Sequence, residues 1–327
     1  MKKTVMAALL ASAVLSVQAY ASPLILKFSH VVSPDTPKGK GANKFKELAE
    51  QYTEGKVVVE VYPNSQLYKD KEELEALQLG AVHMLAPSLA KFGPLGVREF
   101  EVFDLPFIFQ NRDDLRKVTD GPVGRQLLDK LEPKGIKGLA YWDNGFKVMS
   151  ANSPLHTPDD FLGLKMRIQS SKVLEAQMKA LDAVPQVMAF SEVYQALQTG
   201  VVDGTENPPS NMYTQKMHEV QKHATLSNHG YLGYAVIVNK KFWESLPEDV
   251  RVPLEKAMQE ATVYANEISE QENQDSLKAM QESGRTTFYE LTADERAEWV
   301  KHLQPVHKEM ASRIGQEVID AFYKASK

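Results

Sequence analysis

The chain has 327 residues, of which 43% are hydrophobic and 25% charged, enough apolar material for a large core and for two domains. A formal net charge of −5 without any basic tract argues against nucleic acid as a partner, so an anion site here must be built from a few locally placed cations. There is no cysteine, which excludes disulfides, a thiol nucleophile and a thiol-linked lipid anchor.

Residues 1–21 read as a cleaved signal peptide. Lys2 and Lys3 give a positive start, an apolar run covers residues 5–17, and Ala19-Tyr20-Ala21 is a small-x-small cleavage site. The mature chain is expected to start at Ser22. It then keeps 36 of the 38 basic residues against 43 acidic ones, a net charge of −7. No later apolar run is long enough to span a bilayer, which predicts export to a bacterial periplasm.

The mature chain opens as strand, helix, strand, helix, strand. Residues 24–30 and 56–62 are apolar strands, with a helix over 40–52 between them that places Phe45, Leu48, Ala49 and Tyr52 on one face. A helix over 70–79 and a strand over 81–86 follow. Such alternation predicts a mainly parallel sheet covered by helices on both faces. Ligands of such sheets bind beyond the carboxyl ends of the strands, where His30, Ser88 and the loop 34–38 fall. Each has an ordinary alternative. His30 could satisfy a local backbone group, and Lys38 could be a solvated lysine. Yet a lysine at a helix start opposes the helix dipole, a hint of an anion nearby.

Residues 92–109 read as a packed, Phe-rich connector and 113–131 as helix. Residues 137–142 form a strand, Asp143-Asn144-Gly145 a turn and first domain boundary, and 146–151 the strand that leaves it. A second series then begins. Thr157-Pro158 starts a short helix that Gly163 stops. Leu164, Met166 and Ile168 alternate with Lys165 and Arg167, a half-buried strand with Arg167 near its end. A helix over 172–181, a strand ending near Met188, a helix over 192–199 capped by Ser191, and residues 201–207 repeat the first architecture without repeating its sequence. Residues 231–239 read as a strand returning to the first lobe. Residues 247–283 form a helix longer than ordinary globular ones, and 293–325 are further helix.

Arg167 can hold a carboxylate in a two-pronged hydrogen bond, although alone it reads equally as a strand-face arginine in a salt bridge. Lys147, twenty residues earlier, is either a second cation facing the cleft or a solvent-facing strand lysine. Asn207 precedes Pro208, which favours extended backbone and could project its amide into a crevice; Asn-Pro is also common in plain turns. His229 and Tyr234 are lesser candidates. Phe190, as a bare residue, is more often core. No Gly-x-Ser-x-Gly elbow, His-Glu-x-x-His, P-loop or dinucleotide fingerprint is present, and the eight histidines lack ligand spacing, so neither catalysis nor a metal or cofactor is expected.

Three stretches carry a resemblance that covers nearly the whole mature chain. They are Phe28-Ser-His-Val-Val-Ser-Pro-Asp-Thr-Pro-Lys-Gly39, Met188-Ala-Phe-Ser-Glu-Val-Tyr194 and Ala196-Leu-Gln-Thr-Gly-Val-Val-Asp-Gly-Thr-Glu-Asn-Pro-Pro209, the last taken together with the Arg167 strand. With these the chain resembles the DctP-type solute-binding proteins of TRAP (tripartite ATP-independent periplasmic) transporters, and its opening is most similar to the C4-dicarboxylate branch. The resemblance implies a monomer of two α/β lobes, a long helix spanning both, and a ligand cleft between them. The lobes are expected at residues 22–144 with 231–272 and at 145–230 with 273–327. It further implies that Arg167 grips a ligand carboxylate, that Asn207 orients it, and that Phe190 forms an aromatic wall. Succinate, fumarate or malate is the implied cargo, handed to a permease of one small and one large membrane subunit. Some relatives that bind other acids carry arginine at the position of Lys147. A sialic acid, sugar acid or 2-oxo acid therefore stays open as cargo, as do a sensory role and an exported hydrolase.

Overall fold

The computed structural model describes residues 22–326, so the signal peptide expected at 1–21 lies outside the described residues. The chain runs β1 (Leu24–Ser29), α1 (Pro37–Tyr52), β2 (Val57–Tyr62), α2 (Glu73–Gln78) and β3 (Met84–Leu85). It continues through α3 (Arg112–Thr119), α4 (Pro122–Asp129), β4 (Ile136–Phe146), β5 (Val148–Ala151), β6 (Lys165–Ile168), α5 (Lys172–Ala180) and β7 (Val184–Val187). Then come α6 (Val193–Thr199), β8 (Gly204–Asn207), α7 (Pro209–Thr214), β9 (His223–Leu226) and β10 (Tyr231–Asn239). The last elements are α8 (Lys240–Ser245), α9 (Glu248–Ser283), β11 (Thr287–Glu290), α10 (Ala293–Leu303), α11 (Pro305–Ile314) and α12 (Gln316–Ala325).

Two sheets result, ordered β2-β1-β3-β10-β4 and β11-β9-β5-β8-β6-β7, each flanked by helices in a two-lobed α/β fold. β1 pairs in parallel with β2 and β3, and β6 with β7 and β8, as the strand–helix alternation predicts. Two strands break the rule: β10 is antiparallel to both β3 and β4, and β5 to both β8 and β9. Each enters its sheet straight from the other lobe. Without a crossover helix to turn the chain round, such a strand runs against its neighbours.

Several boundaries differ from expectation, each for a local reason. Asp143-Asn144-Gly145 is not a turn. It belongs to β4, where Asp143 faces Gly233 and Gly145 faces Leu232 across a register shift. A β-bulge uses the same Asx and Gly residues that make a hairpin turn. The helix expected over 113–131 is broken at Gly121, which is extended, and restarts with Pro122 in its first turn. The strand expected over 81–86 shrinks to Met84–Leu85. The C-terminal helix is three helices, divided at Pro305 and at Gly315, whose φ is +102°.

The 36-residue helix α9 packs on α1 and β4 of the first lobe and on α7 of the second. Leu254, Ala257, Ala261 and Ala265 are buried against Phe28, Phe45 and Trp142. Trp142 is fully buried, and its indole nitrogen donates to Thr262 Oγ1 at 2.8 Å, so the strand and the helix are fixed by both packing and a hydrogen bond. In the second lobe Met149, Phe161, Met166 and Ile168 pack with Trp299. The final helices touch both lobes: α10 packs on α5, and α12 on α3 and α4.

Candidate functional site: a buried anion pocket between the sheets

The carboxyl ends of β1, β3, β6 and β8 face one another, and the polar residues at those ends are buried. His30 follows β1 directly. The chain then turns into α1, whose N-cap Thr36 accepts from the Gly39 amide at 3.1 Å. A Cβ at Gly39 would collide with Ser33 and Pro34, so glycine lets the first helical turn press onto the loop. That packing buries Lys38 to 1% exposure, which excludes the solvated-lysine reading. Its Nζ donates to Ala86 O at 2.9 Å and lies 3.7 Å from the centre of the Tyr234 ring. Burial first, then the charge of Lys91, push its pKa down to about 7. His30 is buried with neither ring nitrogen hydrogen-bonded. Burial and Lys38 hold it down to about 3, a neutral ring at any ordinary pH.

Arg167 projects from β6 and is 2% exposed. Its Nε and Nη2 both donate to Met188 O, at 3.1 and 2.8 Å, and its guanidinium carbon lies 5.9 Å from the Phe190 ring centre. This bond to the chain just after β7 aims the guanidinium. Burial lowers its pKa, opposed by Asp70 and Glu206, and arginine stays charged. Phe190 is itself buried among Val31, Val32 and Val193, so it is core and a neighbour of Arg167 at once.

Ser88, past the end of β3, accepts from Gln169 Nε2 at 2.7 Å, a contact between the lobes, and its backbone bridges to Tyr234. Asn207 ends β8, where its side-chain amide donates a long bond of 3.4 Å to Thr205 Oγ1 and a weak one of 3.8 Å to Met217 Sδ. Lys147 is neither solvent-facing nor a free cation. Buried to 1% exposure, it donates to Glu206 Oε1 at 2.6 Å. The other oxygen of Glu206 meets His229 Nε2 at 2.8 Å and Gln177 Nε2 at 3.2 Å. Burial alone would raise the Glu206 carboxyl, but Lys147 and His229 hold it well below the usual range.

Sequence reasoning missed several members of this cluster. Asp70 Oδ2 accepts from the Phe190 amide at 2.8 Å, while Oδ1 lies 2.7 Å from Lys91 Nζ; Lys91 also pairs with Glu73. Asp70, which burial would raise, is held down to about 2 by Lys91 and Arg167. Asn144 and Asn211 are buried, and one amide atom of each, Asn144 Nδ2 and Asn211 Oδ1, has no partner. Asn144 was hidden inside apparent turn chemistry. Asp70 opens the stretch that reads as a helix over 70–79 but lies before α2, and nothing in the sequence marks Asn211.

Lys147 is matched by Glu206, and Lys91 by Asp70 and Glu73. Among the described residues, neither Arg167 nor Lys38 has a carboxylate within ion-pair distance; each bonds only a carbonyl. A buried cation without an anion is costly, and unpartnered buried amides are uncommon. Together they make this buried polar cluster the candidate site for an anionic ligand. Among the described residues no group of three or more His, Asp or Glu side chains could hold a metal ion.

The architecture is thus a two-lobed α/β fold whose buried cations mark a candidate ligand site. Comparison with known proteins narrows the class. The family model described as "Bacterial extracellular solute-binding protein, family 7" (DctP) matches residues 28–314, and the chain belongs to that family. A Rhodobacter capsulatus relative, "C4-dicarboxylate-binding periplasmic protein DctP", is 74% identical over 315 residues, which are 96% of this chain and 95% of the relative. Among solved structures, a TRAP periplasmic solute-binding protein from Shewanella oneidensis with bound succinate matches with a TM-score of 0.91 and 43% identity, covering 93% of this chain and all (100%) of that one. Another from Pseudomonas aeruginosa, with bound L-malate, matches with a TM-score of 0.86 and 44% identity over 88% of this chain and 100% of that one.

Proposed function

We propose that this chain is a periplasmic solute-binding protein of a TRAP transporter that captures C4-dicarboxylates such as succinate, fumarate and malate. It releases them unchanged to a membrane permease of one small and one large subunit. The observation that carries the reading is the pair of buried cations, Arg167 and Lys38, left without carboxylates among unpartnered polar groups. A short diacid supplies two carboxylates. The relatives named for this cargo, or solved with it bound, support the same reading.

In this mechanism Arg167 grips one carboxylate with the guanidinium edge that Met188 leaves open, and Asn207 turns its weakly held amide to the same group. Lys38 receives the second carboxylate, backed by Ser88, Tyr234 and His30. Lys147 acts indirectly: by neutralising Glu206 it keeps an uncompensated negative charge away from the ligand. Phe190 walls the pocket beside Arg167. Each charge-assisted bond contributes about 1.5–3 kcal/mol, and a few of them reach the roughly 8 kcal/mol of micromolar binding after ordering costs. The lobes, centred on residues 22–144 with 231–272 and on 145–230 with 273–327, close about the crossing strands β4–β5 and β9–β10, and the ligand favours the closed form.

The test is a thermal-shift and calorimetric screen of the mature protein against succinate, fumarate, malate, sialic acid, sugar acids and 2-oxo acids. A ligand that binds only the folded chain raises its melting temperature. A rise confined to the C4 diacids is expected; a rise only with another acid overturns the cargo. Arg167→Ala is expected to weaken succinate binding about 100-fold or more while the ligand-free protein keeps its fold. Retained affinity removes Arg167 from the site.

A further inference from the structure

We propose that Asn273 of α9 is a positioning residue for ligand capture: it clasps α7 of the second lobe onto β4 of the first and so fixes Asn144 and Asn211 in the pocket. The inference rests on the function proposed above only where succinate is the probe.

The Asn273 carboxamide is held on every side. Its Nδ2 donates to Asn144 O at 2.6 Å and to Ser269 O at 2.7 Å, and its Oδ1 accepts from the Ser210 amide at 2.9 Å. All three partners are backbone groups, so the orientation of the amide is fixed by donor and acceptor alone. Ser210 Oγ then donates to Asn144 Oδ1 at 2.9 Å and closes a ring of three residues from three elements. The helix reaches the strand because the next residue is glycine: a Cβ at Gly145 would lie 2.8 Å from Asn273 Nδ2.

Two consequences reach the pocket. Asn144, pinned through its backbone and its Oδ1, is left with a buried Nδ2 that lies near the Tyr234 hydroxyl without a hydrogen bond of good geometry. Asn211, one residue beyond Ser210, donates a long bond of 3.4 Å to the Tyr234 hydroxyl, on the ring beneath Lys38, and its Oδ1 is likewise unpartnered. Both free amide atoms depend on α7 staying against β4.

A comparison residue stands two helical turns earlier on the same face of α9. Asn266 Oδ1 accepts from the Asp143 amide at 2.8 Å, and its Nδ2 donates to Tyr141 O at 3.1 Å. It clasps the same strand by the same chemistry, yet it makes no bond to α7. Asn266 ties the helix to one lobe; Asn273 ties the helix to both. A merely structural role predicts the same outcome for both.

The experiment compares Asn273→Ala with Asn266→Ala. Since the chain has no cysteine, Gln51→Cys and Lys179→Cys, at exposed sites on α1 and α5, accept spin labels without competition. Pulsed electron spin resonance then reads the distance between lobes with and without succinate. Asn273→Ala is expected to broaden the ligand-free distribution, leave part of it open at saturating succinate, and raise the succinate dissociation rate about tenfold or more. Asn266→Ala is expected to close as the parent does, with an equal or larger loss of ligand-free melting temperature. The clasp is overturned if Asn273→Ala gives the parent's ligand-free distribution, or if both variants change dissociation in step with their melting temperatures. If succinate moves nothing in the parent, the diacid reading fails, and the ligand-free distributions still decide on the clasp.

Discussion

Lys38 sits where a charge is least welcome: on the first turn of a helix, fully enclosed, with the charge of Lys91 adding to the cost of burial and those of Glu73 and Asp70 opposing it. Its pKa falls from 10.5 towards about 7 in the ligand-free fold. Between those values the folded chain holds fewer protons than the unfolded one, so this group makes stability rise with pH across that window. Below pH 7 its cost is present in full. Lys38→Met is therefore expected to raise the ligand-free melting temperature most below pH 7, with the gain shrinking towards pH 10, and to weaken succinate binding throughout; differential scanning fluorimetry over a pH series reads the first effect and calorimetry the second. Part of this was legible in the sequence. A lysine at a helix start is an electrostatic misfit, and Arg167 stood out by strand alternation together with its motif. The partner of Lys147 was not legible, because Glu206 lies 59 residues away and only strand pairing brings the two together.

Among the elements, the junction of β5 and β8 is flanked by a buried ion pair. Val148 pairs with Asn207, so the residues flanking that pair, Lys147 and Glu206, meet inside the protein where water cannot reach them. Removing one charge of such a pair strands the other, at a cost of about 3–5 kcal/mol. Glu206→Gln is expected to lose stability on this scale in urea unfolding and to weaken diacid binding through misplaced Lys147 and Asn207. A loss within about 0.5 kcal/mol, as for an ordinary surface change, means the pair is not the buried one described. The elements themselves were the more legible level. β10 is found at its expected bounds, and α9 one residue from them, since long runs of one periodicity have little competition. Asp143-Asn144-Gly145 reads as a turn because local chemistry does not distinguish a hairpin turn from a bulge in a strand whose partners, Gly233 and Leu232, lie far along the chain.

At the scale of the whole molecule, the contacts that join the first lobe to the second include Gln169 to Ser88, the Phe190 amide to Asp70, and Lys69 to Glu192 at 2.9 Å. The last pair is half exposed and adds little by itself. The first two are part-buried and involve Ser88 and the Phe190 backbone, so the proposed closure and the proposed ligand site share residues. Small-angle scattering is expected to show a smaller radius of gyration on adding succinate, and Arg167→Ala to abolish the change at the same concentration. An unchanged radius in the parent protein contradicts closure around the ligand.

The strand order also governs when the protein can acquire its shape. In the first sheet β10 lies between β3 and β4, although it is made long after both. Until residue 239 is available, those two strands have no neighbour in common, and β4 has no partner in its sheet at all. Nearly three-quarters of the chain must therefore be present before the first lobe can be completed, and the pairing that completes it is long-range and correspondingly slow. A shortened product ending before Tyr231 is left with an unfinished sheet, and its apolar strands are exposed to aggregation. The same two crossings that join the two sheets thus postpone the completion of the first.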